Sequence, residues 1–525
     1  MAVFWIGAAM VTVGVVLHLP MYFDARDMGY HMAGMPMDAG MIAGMVLILA
    51  GLAACCYGLL SRFADFGSAA HLKVRAIDDA RIGQTHIGLL VVLALAVTID
   101  VQKPTALAFV VPGFAREYGL RSALNPHGGA PAALLPLVGI TGTVLGSLAW
   151  GWLGDRMGRR AAMLLAGVIF IGTSVCGTMP SYELNLVMCF VMGLGAGGML
   201  PVAFTLLSET IPARHRGWLM VLIGGDIAGA YVLTSWASET LTPTYSWRVL
   251  WLIGLPTGLV FILLIRWIPE SPRYLLAVGK EDEARQVLRR YKAEVVPMDR
   301  SELETEERVG SSYGQLLRPP FLGLTAVLAL VGGGIGLVVY GFQLWLPTNL
   351  RHLGYEGVTA DRVLRDSSLI GFPLNFLIAY LYHRSSRWTL IGLTALVAVA
   401  LLGFVVLGDS VAGDRPLLSA LLVIPIWGSS SVVAVLSAYG AEVYPTRIRS
   451  RGSGLVAGLT KAGGVLIIAL VVAAVAVPSL RVTAVLGALP LALAVGLAFA
   501  VAIETRSRRL EDITAGELSQ APLAS

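Results

Sequence analysis

Apolar stretches long enough to span a hydrocarbon core, about 20 residues each, recur along almost the whole of this chain and leave little between them. They fall near 3–20, 40–60, 86–113, 133–152, 161–179, 185–207, 219–239, 247–267, 321–347, 366–382, 389–407, 416–439, 454–476 and 482–503. In lipid every backbone polar group has to be satisfied inside its own segment, which favours helices. The expected class is therefore an all-α integral membrane protein with 14 spans. The charged fraction of 14% lies well under the roughly 25% of soluble domains and leaves no room for a large soluble one.

Lys and Arg set the topology. With the N-terminus in the cytoplasm, cytoplasmic segments hold roughly 26 of the 38 Lys and Arg and outer loops roughly 8. Both termini are thus expected in the cytoplasm, with the protein in the inner (plasma) membrane. The net charge of +5 belongs to these loops and implies no nucleic acid partner. The first run, Val3–Leu19, lacks a basic flank and a cleavage site, so it reads as a retained helix. Cys55, Cys56, Cys176 and Cys189 lie inside apolar runs, which argues against a disulfide framework or a zinc cluster.

One long connection divides the last twelve spans into six and six. The expected organisation is a two-helix hairpin with its linker (1–85), a six-helix bundle (86–268), a linker (269–320), a second bundle (321–505) and a tail (506–525). In the linker, KEDEARQVLRRY (280–291) places Ala284, Val287, Leu288 and Tyr291 at helical spacing, which predicts an amphipathic helix. The halves also repeat a pattern. Glu209, Pro212, Arg216 and Gly217 follow one span, and Glu442, Pro445, Arg449, Arg451 and Gly452 follow its counterpart, which points to duplication.

GWLGDRMGRR (151–160) closes the second of the twelve spans. Gly151, Gly154 and Gly158 permit close backbone approach, while Asp155, Arg156, Arg159 and Arg160 form an ion cluster at helix ends. Such a cluster can break and re-form as two bundles rock. A merely basic loop explains the arginines but not the spaced glycines and the aspartate.

With this motif the chain resembles the major facilitator superfamily over about 86–505. PESPRYL (269–275), containing Glu270 and Arg273, looks like the box after the sixth helix of sugar porters and related organic-ion and metabolite transporters. The resemblance implies two six-helix bundles, a midplane site and alternating access. It also implies a cytoplasmic gate made by Gly151, Asp155, Arg156, Gly158, Arg159, Arg160, Glu209, Arg216, Glu442, Arg449, Glu270 and Arg273. At the matching place in the second half, residues 380–387 keep only a degraded copy of the loop signature. GLVVYGFQLWLPTNL (336–350) is closer to the metabolite and organic-acid branches than to sugar porters, and Cys189 stands where sugar porters place an arginine.

Ionisable residues inside spans are functional candidates. Asp100 and Lys103 lie at i and i+3 ahead of Pro104, so they can share a helix face and pair. Asp100 also matches the first-helix aspartate that many proton-coupled members protonate. A substrate carboxylate drawn to Lys103 frees Asp100 to take a proton, and a static ion pair is the competing reading. Asp226 is a second proton-coupling candidate, or a structural partner across helices. Lys461 is a second buried cation, suited to a substrate anion or to a pair with Asp226 or Asp100. Tyr340, Gln343, Trp345, Asn349 and Asn375 are candidates for lining the cavity, with helix–helix hydrogen bonding as the alternative.

His31, Met32, Met35 and Met37 offer soft ligands of the kind that suit Cu(I). Met is also a common apolar filler, and Gly34, Pro36 and Gly40 make a turn. Architecture is the expected role, so no metal is assigned. There is no HExxH, phosphate-binding loop or nucleophile triad, so neither an enzyme nor a cofactor is expected. The function expected is proton-coupled symport of a small organic anion by a monomer in the bilayer, with substrate and protons as its partners. The alternatives are a sugar or neutral-solute porter, a drug-cation exporter, and a ligand- or metal-sensing receptor built on the hairpin.

Overall fold

A computed structural model describes residues 2–60, 72–73, 81–122, 125–265, 267–293, 296–297, 312–343, 357–407, 415–474, 480–508, 510 and 512–513. Two long helices come first, α1 (Ala2–Val16), prolonged by a short helix over Leu19–Asp24, and α2 (Ala39–Leu60). The first bundle follows. It comprises α3 (Gln84–Glu117), α4 (Leu134–Met157), α5 (Arg159–Gly172), α6 (Tyr182–Ala196), α7 (Met199–Thr210), α8 (Ala213–Gly224), α9 (Asp226–Tyr245), α10 (Val249–Leu252) and α11 (Gly254–Ile265). The α6–α7 and α8–α9 pairs each run on as one span, Tyr182–Thr210 and Ala213–Tyr245.

The linker holds α12 (Pro272–Ala277) and α13 (Glu281–Arg290). Ala284, Leu288 and Tyr291 are buried along α13. The second bundle is α14 (Leu322–Leu337), α15 (Gly357–Arg384), α16 (Ser386–Leu407), α17 (Arg415–Val443), α18 (Arg449–Ala474) and α19 (Leu480–Val501). Besides helices and turns, the described residues form a two-residue antiparallel ladder, Leu72–Lys73 against Val296–Pro297, and two isolated bridges, Arg121 with Pro131 and Ser122 with Asn125.

Among the described residues, 12 helices are long and apolar enough to cross a membrane, including both N-terminal ones. Two of the 14 expected spans fall outside that number. Val249–Ile265 is shorter, and α15 is more polar, carrying Asn375, His383 and Arg384.

Local chemistry sets the helix ends. The Ser271 hydroxyl accepts from the Tyr274 amide at 3.2 Å, with Pro272 as the first helical residue of α12. Gly158 joins α4 to α5 at φ +94°, where a side chain is strained and a Cβ would lie 2.4 Å from Glu270 Oε2. The bundles meet chiefly through α4 against α18, with α8 and α9 against α15 and α17. A Cβ at Gly151 would lie 2.7 Å from the Ser450 carbonyl, and one at Gly454 2.4 Å from that of Ser147. Small residues thus bring the two backbones into contact.

The N-terminal hairpin packs on α5, with Val11 and Ile48 against Gly172. This sheath leaves the apolar window of Arg159–Thr178 94% buried, against 50% for that of α16, its counterpart in the second bundle.

Candidate functional site

Asp100 lies midway along α3 and is 7% exposed. Ala96, Ala166, Phe170, Met199 and Phe261 surround it. Lys461 of α18, in the other bundle, acts on it electrostatically more strongly than Lys103 does. The Lys461 ammonium donates to Ser147 Oγ of α4 at 3.0 Å. That hydroxyl in turn donates to the carbonyls of Thr143 (2.8 Å) and Gly197 (2.9 Å). Tyr340 lies in a π-helical turn, Val338–Gln343, that continues α14. Its ring packs on Gly464, one helical turn from Lys461, where a Cβ would lie 2.2 Å from Tyr340 Cδ2. Both bundles therefore contribute polar groups to this region, Asp100 and Ser147 from the first and Lys461 and Tyr340 from the second. Such a set can hold an organic anion.

The expected Asp100–Lys103 pair is not formed. Lys103 is 1% exposed and turns into its own bundle. There its ammonium donates to the Phe170 carbonyl, Thr173 Oγ1 (2.9 Å) and Ser174 Oγ (3.3 Å), 4.2 Å from the centre of the Phe170 ring. The cause lies in α5, which gives way at Gly172 to a 3-10 turn, Thr173–Thr178, so that the turn's hydroxyls and the Phe170 carbonyl of α5 supply acceptors. Lys103 thus turns its ammonium away from Asp100 and onto α5 and the turn that follows it.

Other candidates have structural partners. Asp226 accepts from the Thr98 hydroxyl within the same bundle. Gln343 donates to the carbonyls of Pro425 (3.1 Å) and Ile426 (3.0 Å) on α17. Asn375 donates to the Gly225 carbonyl at 3.2 Å and accepts from Ser431 at 3.1 Å, joining three helices. Trp345 and Asn349 lie outside the described residues.

At the basic end a buried network ties the bundles together. Asp155 is fully buried, 3.5 Å from both Arg159 and Arg451. Its oxygens also accept from the amides of Ser450 (3.3 Å) and Arg451 (3.2 Å), so a carboxylate of one bundle caps the start of α18 in the other. Glu209 receives Arg159 at 2.9 Å and Arg449 at 3.0 Å, and its carbonyl accepts from Arg273 at 3.0 Å. Arg216 reaches Glu442 across the interface at 3.2 Å.

Glu270 caps α5 by accepting from the amides of Arg159 (2.8 Å) and Arg160 (3.3 Å). Burial pushes its carboxyl above the ordinary range, against the pull of the Ser271 amide and Arg159. The Arg156 carbonyl accepts from the Tyr274 hydroxyl at 3.0 Å. In the second half, Ser385 and Ser386 bind Glu504 behind α19 instead of an arginine cluster. Burial opposes the charge on Glu504, but those hydroxyls outweigh it and hold the carboxyl below its ordinary range.

The Met/His turn is a docking element. Met32 is fully buried in the core, whereas Met37 is exposed and the His31 side chain is 57% exposed, so these ligand types face apart. The amides of Met32 (2.8 Å) and Ala33 (3.1 Å) donate to Glu117 at the end of α3. Glu117 also takes Arg248 at 2.6 Å and the Trp247 indole at 2.9 Å. Sequence reasoning missed this cluster, as it missed Ser147. The signal available was a carboxylate ending one apolar span and an arginine opening another.

Removing one partner of a buried ion pair costs roughly 3–5 kcal/mol. Glu117→Ala is expected to lower thermal stability accordingly and to speed amide exchange over 28–41. Unchanged melting and exchange would remove Glu117 as the anchor.

This architecture and site define a multi-pass membrane transporter built of paired helix bundles. The sequence matches the Major Facilitator Superfamily over residues 87–411, and the chain belongs to that family. It is 30% identical to the niacin transporter NiaP of Acinetobacter baylyi, over 75% of this chain and 88% of the relative. It is 28% identical to the 4-hydroxybenzoate transporter PcaK of the same organism, over 74% and 85%. The fold is similar to that of the proton:xylose symporter XylE of E. coli, with a TM-score of 0.68 and 18% identity over 82% of this chain and 99% of that one.

Proposed function

We propose that the protein is a proton-coupled symporter of a small organic carboxylate, of the aromatic-acid kind that the names of its relatives indicate. The observation that carries this reading is Lys461. It is a cation of the second bundle held by a neutral hydroxyl of the first, within the field of Asp100. A neutral sugar gives such a cation nothing to neutralise, whereas a carboxylate does.

In this reading the substrate carboxylate displaces Ser147 from Lys461 and lies against the Tyr340 ring. Lys461 is then neutralised by substrate, and Asp100 loses its strongest counter-charge. A carboxylate left unpaired inside the membrane takes up a proton. The loaded site is then close to electroneutral, which permits the bundles to rock around it. Release of the substrate returns Lys461 to Asp100 and expels the proton. Asp155, Glu209 and Glu442 close the basic end, which faces the cytoplasm of the inner membrane together with both termini.

Proteoliposomes with an alkaline lumen test the reading. The expected result is accumulation of niacin or 4-hydroxybenzoate above equilibrium, abolished by collapsing the pH gradient, with no accumulation of xylose. Gradient-driven xylose uptake without either carboxylate would overturn it.

A further inference from the structure

A small open cavity at the basic end is not part of the transport site. It lies where the start of α8, the end of α15 and the segment after α19 meet, and Arg214, Trp218, Tyr382, His383, Glu442 and Arg506 line it. Its walls therefore belong to both bundles and to the chain's last described segment. Its one carboxylate among the described residues is already engaged: Glu442 accepts from Arg216 (3.2 Å), Tyr382 (2.9 Å) and Thr505 (2.7 Å).

The cations around it are not matched. Arg214 is exposed and has no ion pair among the described residues. The Arg506 guanidinium donates to the Arg384 carbonyl at 3.0 Å, not to a carboxylate. Arg506, Arg214 and Arg384 all act electrostatically on His383. Like charges gathered around a concave polar site favour an anion between them.

The depth of the cavity indicates which anion. Tyr380 and Trp388, on the adjoining α15 and α16, are 54% and 57% exposed. Arg384 and Arg387 lie over their rings, 5.7 Å and 5.6 Å from the centres. Exposed aromatics with arginines above them mark the boundary between hydrocarbon and headgroups. We propose that the cavity binds the phosphate of an anionic phospholipid headgroup. Because Arg214 comes from one bundle and His383 from the other, the bound headgroup favours the arrangement in which the basic end is closed. This binding does not depend on which substrate is carried.

The test uses the full chain in phosphatidylcholine nanodiscs with and without phosphatidylglycerol. Retention of phosphatidylglycerol is read by native mass spectrometry. Closure is read from the distance between spin labels at Asp282→Cys and Arg318→Cys, in a Cys56→Ser background. Each arginine near an anionic surface contributes about fivefold, so Arg214→Gln/Arg506→Gln is expected to weaken retention roughly 25-fold. The same variant loses the lipid-dependent shortening of the label distance. Arg285→Gln, an exposed arginine on α13 away from the cavity, keeps both responses and controls for charge alone.

Equal retention by the double variant and the wild type overturns the site. Retention without a change in label distance overturns the bridging role. Inorganic phosphate in phosphatidylcholine alone supplies the remaining arm. No response supports the lipid as the source, and a full response overturns it in favour of a free phosphate.

Discussion

Lys461→Met is expected to raise the KM for the carboxylate substrate by about 10-fold to 100-fold, the range for losing a hydrogen bond to a charged group. Methionine nearly preserves the volume, so packing against Ser147 changes little while the charge disappears. Asp100 then has no strong counter-charge in the empty site, and uptake should also lose most of its dependence on the pH gradient. Asp100→Asn separates the two roles. It is expected to retain exchange of labelled for unlabelled substrate while losing accumulation driven by protons. Measured uptake and exchange in proteoliposomes decide the matter. If Lys461→Met leaves KM unaltered, Lys461 is not the partner of the substrate. If Asp100→Asn still accumulates substrate against its gradient, the coupling carboxylate lies elsewhere.

The second large effect is expected at the basic end. Asp155→Ala removes the charge that meets Arg159 and Arg451 and also uncaps α18. Breaking one partner of a buried pair costs roughly 3 kcal/mol or more, which shifts a two-state equilibrium about 100-fold. Ser453, 5% exposed and bonded to Thr205 across the interface at 3.3 Å, reports on opening. Alkylation of Ser453→Cys, in a Cys56→Ser background, should accelerate by about that factor when Asp155→Ala is added. Glu209→Gln should act in the same direction and more weakly, since glutamine still accepts from Arg159 and Arg449. An alkylation rate that stays the same in a folded Asp155→Ala protein would show that this network does not hold the end closed.

Much of the basic end was legible because its chemistry is local. GWLGDRMGRR places glycines and charges within ten residues, and the two Glu–Pro–Arg repeats stand at matching positions in the halves. What the sequence left hidden is who meets whom across the interface. Asp155 uses the amides of Ser450 and Arg451, nearly 300 residues away, and backbone donors carry no sequence signature.

The mid-membrane site shows the same division. Spacing placed Asp100 and Lys103 on one helix face, but a lysine side chain is long enough to choose between neighbours. Phe170, Thr173 and Ser174 offered acceptors where α5 loosens, and a hydrogen-bond donor inside a membrane goes to the nearest complete set. Lys461 was visible as a buried cation. Its partner Ser147 was not, because a single serine in an apolar helix is too common to stand out. The hairpin turn was read correctly as a turn, yet its anchor Glu117 became visible only once α3, α10 and the turn were seen together.

The sheath over α5 makes the two halves of the protein unequal in the eyes of the bilayer. The first bundle meets the acyl chains partly through α1 and α2, while α16 of the second meets them directly, with Val399 and Val406 64% and 82% exposed. Changes in membrane thickness or lateral pressure therefore act on the second bundle more directly than on the first.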